Sequence, residues 1–231
     1  MLAGGFGTRL RSAVSAVPKP LAPVIDRPFL MYLLENWVGQ GLRSFIFMLH
    51  HQADVIETFL EREATAGTLR DCRVRTVVEP RPLGTGGAIA NAVREAEVSG
   101  SFIVANADTW LGDGIRDVSA AVPPAMAVVR VENTERYGSA RLAGDRIVSF
   151  EEKGSSAGAG WINAGLYHLE AAEFASWGDS AFSLETDLFP RWASAGCLNA
   201  VRVDSDFVDI GIPEDYLHFC RWAESRKSGA L

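Results

Sequence analysis

Residues 1–10 read Met1-Leu2-Ala3-Gly4-Gly5-Phe6-Gly7-Thr8-Arg9-Leu10, the end of a strand running straight into a glycine-rich turn. Outward from that turn, the chain alternates short apolar runs with helical patterns. Phe29, Leu30, Leu33, Leu34 and Trp37 share one helical face, which predicts a helix over 29–38 with Gly41 as its stop. Residues 45–49 are continuously apolar, as expected of a strand covered on both faces. An amphipathic helix over 53–63 turns Val55, Ile56, Phe59 and Leu60 inward, and 73–79 is the next strand. A second glycine-rich turn, Gly84-Thr85-Gly86-Gly87, opens a helix to about Ala96, and the buried strand 102–105 ends at Asn106-Ala107-Asp108. This alternation predicts an open, mostly parallel, Rossmann-like α/β sheet flanked by helices, with ligands at the carboxyl ends of its strands.

The second half changes character. Residues 125–132, 137–142, 146–150 and 161–169 read as strands joined by short turns such as Ala143-Gly144-Asp145, a smaller mixed or antiparallel region packed on the first half. The Gly/Ser/Ala stretch 154–160 reads as a flexible loop. Pro213, with Glu214 and Asp215 in the first turn, starts a closing helix over 213–225. No internal repeat and no long linker interrupts the chain, so 1–231 reads as a single domain.

Composition narrows the function. Twenty-nine acidic residues against 22 basic ones give a net charge of −7, which argues against broad binding to nucleic acid or to an anionic membrane surface. No apolar run approaches the ~18 residues of a membrane span, and no basic segment leads into an apolar one at the start. The three cysteines, Cys72, Cys197 and Cys220, form no CxxC pair and read as free thiols in a reducing cytoplasm. Only Lys19, Lys153 and Lys227 are lysines, and Lys227 lies in the polar tail. The two internal lysines are therefore candidates for places that need a compact ammonium rather than the arginine this chain otherwise uses.

Two constellations carry chemistry. Gly4, Gly5 and Gly7 let the backbone approach an anion, Arg9 can grip phosphate oxygens, and Pro18-Lys19-Pro20 fixes a point charge nearby. Leu10 breaks the dinucleotide fingerprint, and no Gly-Lys-Ser/Thr supplies a P-loop. Asp108 and Asp209 each end an apolar run, as carboxylates delivered to the sheet's carboxyl edge. Held together they suit Mg²⁺ beside nucleotide phosphates; taken singly they read equally as helix caps or loop residues. His50-His51 lacks a third ligand at metal spacing, and Trp37, Trp177, Trp192 and Trp222 read as packing residues.

These residues resemble the sugar-1-phosphate nucleotidyltransferases, and the resemblance runs nearly end to end. Residues 2–10 with Pro18-Lys19-Pro20 are similar to the family signature, and Glu79-Pro80-Arg81-Pro82-Leu83-Gly84-Thr85-Gly86-Gly87-Ala88 to its base-binding turn. Asn106-Ala107-Asp108 resembles its first metal motif, and the segment from Val208 through Asp209 to Tyr216 its second. Tyr137-Gly138, Glu151-Glu152-Lys153, Trp161-Ile162-Asn163-Ala164-Gly165 and Ser183-Leu184-Glu185-Thr186-Asp187 resemble its sugar-pocket segments. Within the family, the Leu-Gly-Thr-Gly-Gly turn, Ile-Asn-Ala-Gly and Asp-Ile-Gly-Ile-Pro-Glu-Asp-Tyr are most similar to the D-glycero-D-manno-heptose 1-phosphate guanylyltransferase group. Two departures stand out. Met1 is almost at the motif, so the first strand is expected to be short, either because the fold tolerates a stub or because the native chain starts upstream. Ala107 replaces a frequent glycine, which a methyl tolerates where φ is negative.

The resemblance implies a nucleotide-binding half at about 1–110 and a sugar-phosphate-binding half at about 111–231. It implies attack of a sugar 1-phosphate on the α-phosphorus of a nucleoside triphosphate, GTP in this group, with release of pyrophosphate. Arg9 would hold the β- and γ-phosphates, Lys19 the α-phosphate, Lys153 the sugar phosphate, and Asp108 and Asp209 a Mg²⁺ ion. Leu2, Ala3, Gly4, Gly5, Gly7, Thr8, Glu79, Gly84, Thr85, Gly86 and Asn106 would line the nucleotide, and Tyr137, Gly138, Asn163 and Glu185 the sugar. Read without the family, Asn163 is a turn cap, Glu185 an exposed first-turn residue and Tyr137 core. The alternatives are a mannose-1-phosphate guanylyltransferase, a uridylyltransferase on another sugar phosphate, or a non-catalytic nucleotide-sugar sensor. A homodimer through the tryptophan-bearing helices is left open.

Overall fold

The computed structural model describes residues 1–10, 12–14, 16–151, 154 and 158–228. A small ribbon of β1 (Pro23–Val24) and β2 (Arg27–Pro28) precedes α1 (Phe29–Gly39), β3 (Ser44–Leu49), α2 (Ala53–Ala66), β4 (Arg73–Val78) and α3 (Gly84–Glu95). Then come β5 (Ser101–Ala105), β6 (Thr109–Leu111), α4 (Ile115–Ala120), β7 (Ala125–Val131), β8 (Ser139–Ala143), β9 (Arg146–Glu151) and β10 (Gly160–Glu170). The chain closes with α5 (Phe189–Ser194), β11 (Asn199–Arg202), β12 (Phe207–Asp209) and α6 (Pro213–Ser228).

β3 and β4 pair in parallel. The short first strand lies between β3 and β5: the Leu2 N–H donates to Ala105 O at 2.9 Å and the Ala3 N–H to Met48 O at 3.0 Å. β5 then pairs antiparallel with β10, and the sheet continues in the order β10-β7-β11-β9-β8, with β7 and β11 parallel. The smaller mixed region expected of the second half forms beside the Rossmann-like sheet, and it joins the first half edge to edge as an extension of the same sheet. β10 makes this possible because it is long and carries a register shift between Asn163 and Tyr167, so its two ends serve different neighbours. Gly165 sits at that shift with φ +71°, a conformation that glycine adopts without strain.

Period-2 alternation sorts the strands into two cores. Phe45, Phe47 and Leu49 face the layer of α1, α2 and α6, where Phe29, Leu33, Ile56, Leu60 and Phe219 are buried. Met48 faces the opposite layer, with Ile89 of α3, Tyr167 of β10 and Phe189 of α5. The helix over 53–63 forms and runs on to Ala66, but Val55 lies outside the buried set, being 37 % exposed; the inward stripe is Ile56, Phe59 and Leu60. Tyr137 and Gly138 precede β8 rather than starting it. Ala107 is fully buried and is not among the positive-φ residues, so its methyl is accommodated. Cys72, Cys197 and Cys220 are half-buried free thiols, and among the described residues no helix is long and apolar enough to cross a membrane.

Candidate active site

The carboxyl end of the first strand opens into the turn at Gly4–Gly7, where Gly5, Phe6, Thr8 and Arg9 are exposed. Behind it, Pro18 leads into a single 3₁₀ turn, Lys19–Leu21, whose buried Pro20 and Leu21 anchor the lysine. The Lys19 stem lies against Gly7: a Cβ there would stand 3.2 Å from that of Lys19. From this base the Lys19 ammonium donates to Asp108 Oδ2 at 2.6 Å and lies 3.6 Å from Asp209 Oδ1. Residues 89 and more positions apart in the chain meet here, and β6 and β12 pair antiparallel with Thr109 opposite Asp209. The Thr109 hydroxyl donates to Asp108 Oδ1 and the Gly211 N–H to Asp209 Oδ1, so both carboxylates are oriented. Two carboxylates this close repel unless a cation lies between them, and in this state Lys19 is that cation.

The second glycine turn is arranged differently. The N–H groups of Gly86 and Gly87 both donate to Phe182 O at 3.1 Å, and a Cβ on Gly86 would overlap the Phe182 ring. Phe182 stacks on Trp177 with ring centroids 3.9 Å apart, and its own N–H donates to Leu83 O. The Gly86 and Gly87 amides of the turn expected to line the nucleotide are thus engaged within the chain. These glycines let the 177–182 segment close over the start of α3, leaving Gly84 exposed and Thr85 half-buried. The Thr85 hydroxyl is also engaged, donating to Glu185 Oε2 at 2.6 Å. Glu79 is buried and accepts the Leu83 N–H at 2.9 Å, while its other oxygen faces Gly4, so one carboxylate ties the two turns together. Burial pushes the Glu79 carboxyl above the usual carboxylate range, against the opposing pull of the Leu83 N–H and His50.

Beside Asp209 lies a cavity of about 90 Å³ lined by Asn106, Tyr137, Gly138, Asn163, Glu185 and Asp209 among others. The structure thus brings the predicted sugar residues of three separate segments to one place. The Asn163 side chain accepts the Gly165 N–H and donates to the Tyr167 hydroxyl, both at 2.9 Å, so it caps the bulge while lining the cavity. Tyr137 packs edge-on against Phe207, and burial followed by the Asp215 charge raises its pKa. Asn106 Oδ1 is a buried acceptor with no partner among the described residues, the kind of atom a ligand or a water satisfies. Glu185 is half-buried in a single π turn, Leu184–Leu188, rather than exposed in a helix. Lys153 and Glu152, and residues 155–157 of the expected loop, lie outside the described residues.

Sequence reasoning missed Thr109, Phe150 and Phe207 as cavity walls, and the Phe182 closure. Gly165, a glycine inside a strand pattern, carried a readable bulge signal. The Phe182 contacts span about a hundred residues and leave no local pattern.

Residues 1–225 match the model of the nucleotidyl transferase family. The chain belongs to that family, among the sugar-1-phosphate nucleotidyltransferases, enzymes that form a nucleoside-diphosphate sugar from a nucleoside triphosphate and a sugar 1-phosphate. It is 32 % identical over 225 residues to the D-glycero-alpha-D-manno-heptose 1-phosphate guanylyltransferase of Campylobacter jejuni, covering 95 % of this chain and 96 % of that one. The crystal structure of HddC from Yersinia pseudotuberculosis complexed with GMP-PN superposes with a TM-score of 0.81 at 35 % identity, over 95 % of this chain and 96 % of the other. The mannose-1-phosphate guanylyltransferase catalytic subunit beta of Danio rerio is 32 % identical over 241 residues, across all of this chain and 66 % of its own length.

Proposed function

We propose that the protein transfers GMP from GTP to D-glycero-D-manno-heptose 1-phosphate, giving GDP-heptose and pyrophosphate, a product suited to surface-polysaccharide synthesis. The observation that carries the transfer chemistry is the Lys19 ammonium set between Asp108 and Asp209 beneath an open glycine turn. The names of the relatives favour the guanine and the heptose. The chemistry of Glu79 supports the guanine too. A carboxylate only accepts hydrogen bonds, and guanine offers adjacent N1–H and N2–H₂ donors where uracil and thymine offer one N–H between two carbonyls. The half-buried free thiols suit a reducing cytoplasm.

The nucleophile is already an anion, so the enzyme needs charge neutralisation and alignment rather than a base. In this reading Arg9 reaches from its exposed turn to the β- and γ-phosphates. Lys19 leaves Asp108 for the α-phosphate as negative charge grows there, and Lys153 meets the sugar phosphate. The backbone of residues 2–8 and of Gly84 and Thr85 lines the nucleotide together with the orphaned Asn106 oxygen, while Tyr137, Gly138, Asn163 and Glu185 offer donors and acceptors to the sugar hydroxyls. Asp108 and Asp209 fit a hard divalent ion: two oriented carboxylates converge on one cationic position, and no third protein ligand joins them among the described residues. Mg²⁺ commonly takes one or two carboxylates and completes its shell with water and phosphate. Bound there, it would supply neutralisation of the triphosphate.

Pyrophosphate release from GTP, UTP, dTTP, CTP and ATP, each against heptose 1-phosphate and mannose 1-phosphate, tests the assignment. Turnover led by GTP with the heptose is the expected result. A lead for mannose 1-phosphate or for UTP would keep the reaction class and discard the heptose or the guanine.

A further inference from the structure

The nucleotide turn and the sugar cavity share a hydroxyl. Thr85 has one proton to give and gives it to Glu185 Oε2 at 2.6 Å, while its oxygen accepts the Leu184 N–H at 2.8 Å. Ser183 donates to the same Oε2 at 2.7 Å and accepts the Glu185 N–H at 3.0 Å. Leu184 between them is fully buried, which anchors the backbone of this turn. The two hydroxyls therefore occupy one oxygen of Glu185 and hold a long, rotamer-rich side chain in one pose at the cavity wall. Oε1 has no partner among the described residues and remains available to a ligand hydroxyl.

We propose that Thr85 is a positioning residue for sugar recognition, fixing Glu185 at the wall of the sugar cavity; this rests on the transfer reading above. Expected from sequence to serve the nucleotide, its hydroxyl serves the other substrate. A carboxylate held in place before binding loses less freedom when the sugar arrives, so the benefit falls on sugar affinity rather than on the chemical step. The link also joins the first turn of α3 to the cavity across a hundred residues of chain, so no local pattern announces it.

The test is a steady-state comparison of wild type with Thr85→Val, which keeps the shape and removes the hydroxyl, and Thr85→Ser, which keeps the hydroxyl. The probe is the sugar 1-phosphate that the wild type turns over fastest. Thr85→Val should raise KM for the sugar phosphate about tenfold, equivalent to ~1.4 kcal/mol. It should leave kcat and the KM for the nucleotide within about twofold, and Thr85→Ser should restore the wild-type value. In a Glu185→Gln background the valine should add little, because the threonine acts through that carboxylate. A fall in thermal midpoint with an unchanged KM, or an equal rise in both KM values, overturns the inference and leaves the transfer reading intact. A folded wild type that turns over no sugar 1-phosphate overturns both.

Discussion

The two glycine-rich turns look alike on paper and are built for opposite purposes. Gly4–Gly7 is open: Gly5 has nothing within 4 Å of where its Cβ would be, and the exposed Thr8 and Arg9 follow it. Gly84–Gly87 is largely closed, with two amides spent on Phe182 O and the space over Gly86 filled by the Phe182 ring. A glycine run tells us that backbone must come close to something. Whether that something is a ligand or another part of the chain depends on residues elsewhere. Here a lysine and two carboxylates stand behind the first turn, and an aromatic segment covers the second.

If the open turn is the one that faces the chemistry, the largest effects should come from the charges behind it. Asp108→Asn keeps the shape and removes a charge facing Lys19, and we expect turnover to fall by about 10²–10³ while folding is retained. EDTA should abolish wild-type turnover as well. Both are read by pyrophosphate release, and near-normal turnover in either would detach the first turn from the reaction.

The closed turn should answer to stability instead. Gly86→Ala forces a methyl into the Phe182 ring and should lower unfolding free energy by about 1–3 kcal/mol in urea titrations. Gly5→Ala, pointing into open space, should stay within about 0.5 kcal/mol of wild type. Equal costs at the two positions would erase the distinction.

The smallest effect concerns Glu79, which touches both turns. Burial raises its pKa, so the unfolded chain releases this proton at a lower pH than the folded one. Its contribution to stability is therefore full below the ordinary carboxylate value and lost as pH rises through the folded one. Glu79→Gln keeps an acceptor for the Leu83 N–H without the charge. Its stability relative to wild type should rise as pH climbs from the ordinary carboxylate range through the raised folded value, measured as the shift in urea midpoint. A relative stability independent of pH would remove the buried charge from this account.

Much of the fold was legible because it rests on local periodicity. The apolar run at 45–49 and the stripe from Phe29 to Trp37 each lie on one element, and both elements formed where expected. The site was legible where an unusual residue stands in a stiff context: Lys19 between two prolines, Asp108 and Asp209 after apolar strands. What stayed hidden depends on partners distant in sequence. Nothing near Gly86 announces Phe182, and nothing near Thr85 announces Glu185. Val55 fits the helical stripe but falls at its edge, where a few tens of degrees decide between core and solvent.

In the proposed reaction the Lys19 ammonium, held between Asp108 and Asp209, is the cation that meets the reacting phosphate. The most direct test is single-turnover pyrophosphate release by Lys19→Met beside wild type, with GTP and heptose 1-phosphate at saturating concentrations. The account predicts a chemical step slowed about 10²–10³-fold in a folded protein that still binds both substrates. A Lys19→Met enzyme that completes the step at nearly the wild-type rate would contradict it.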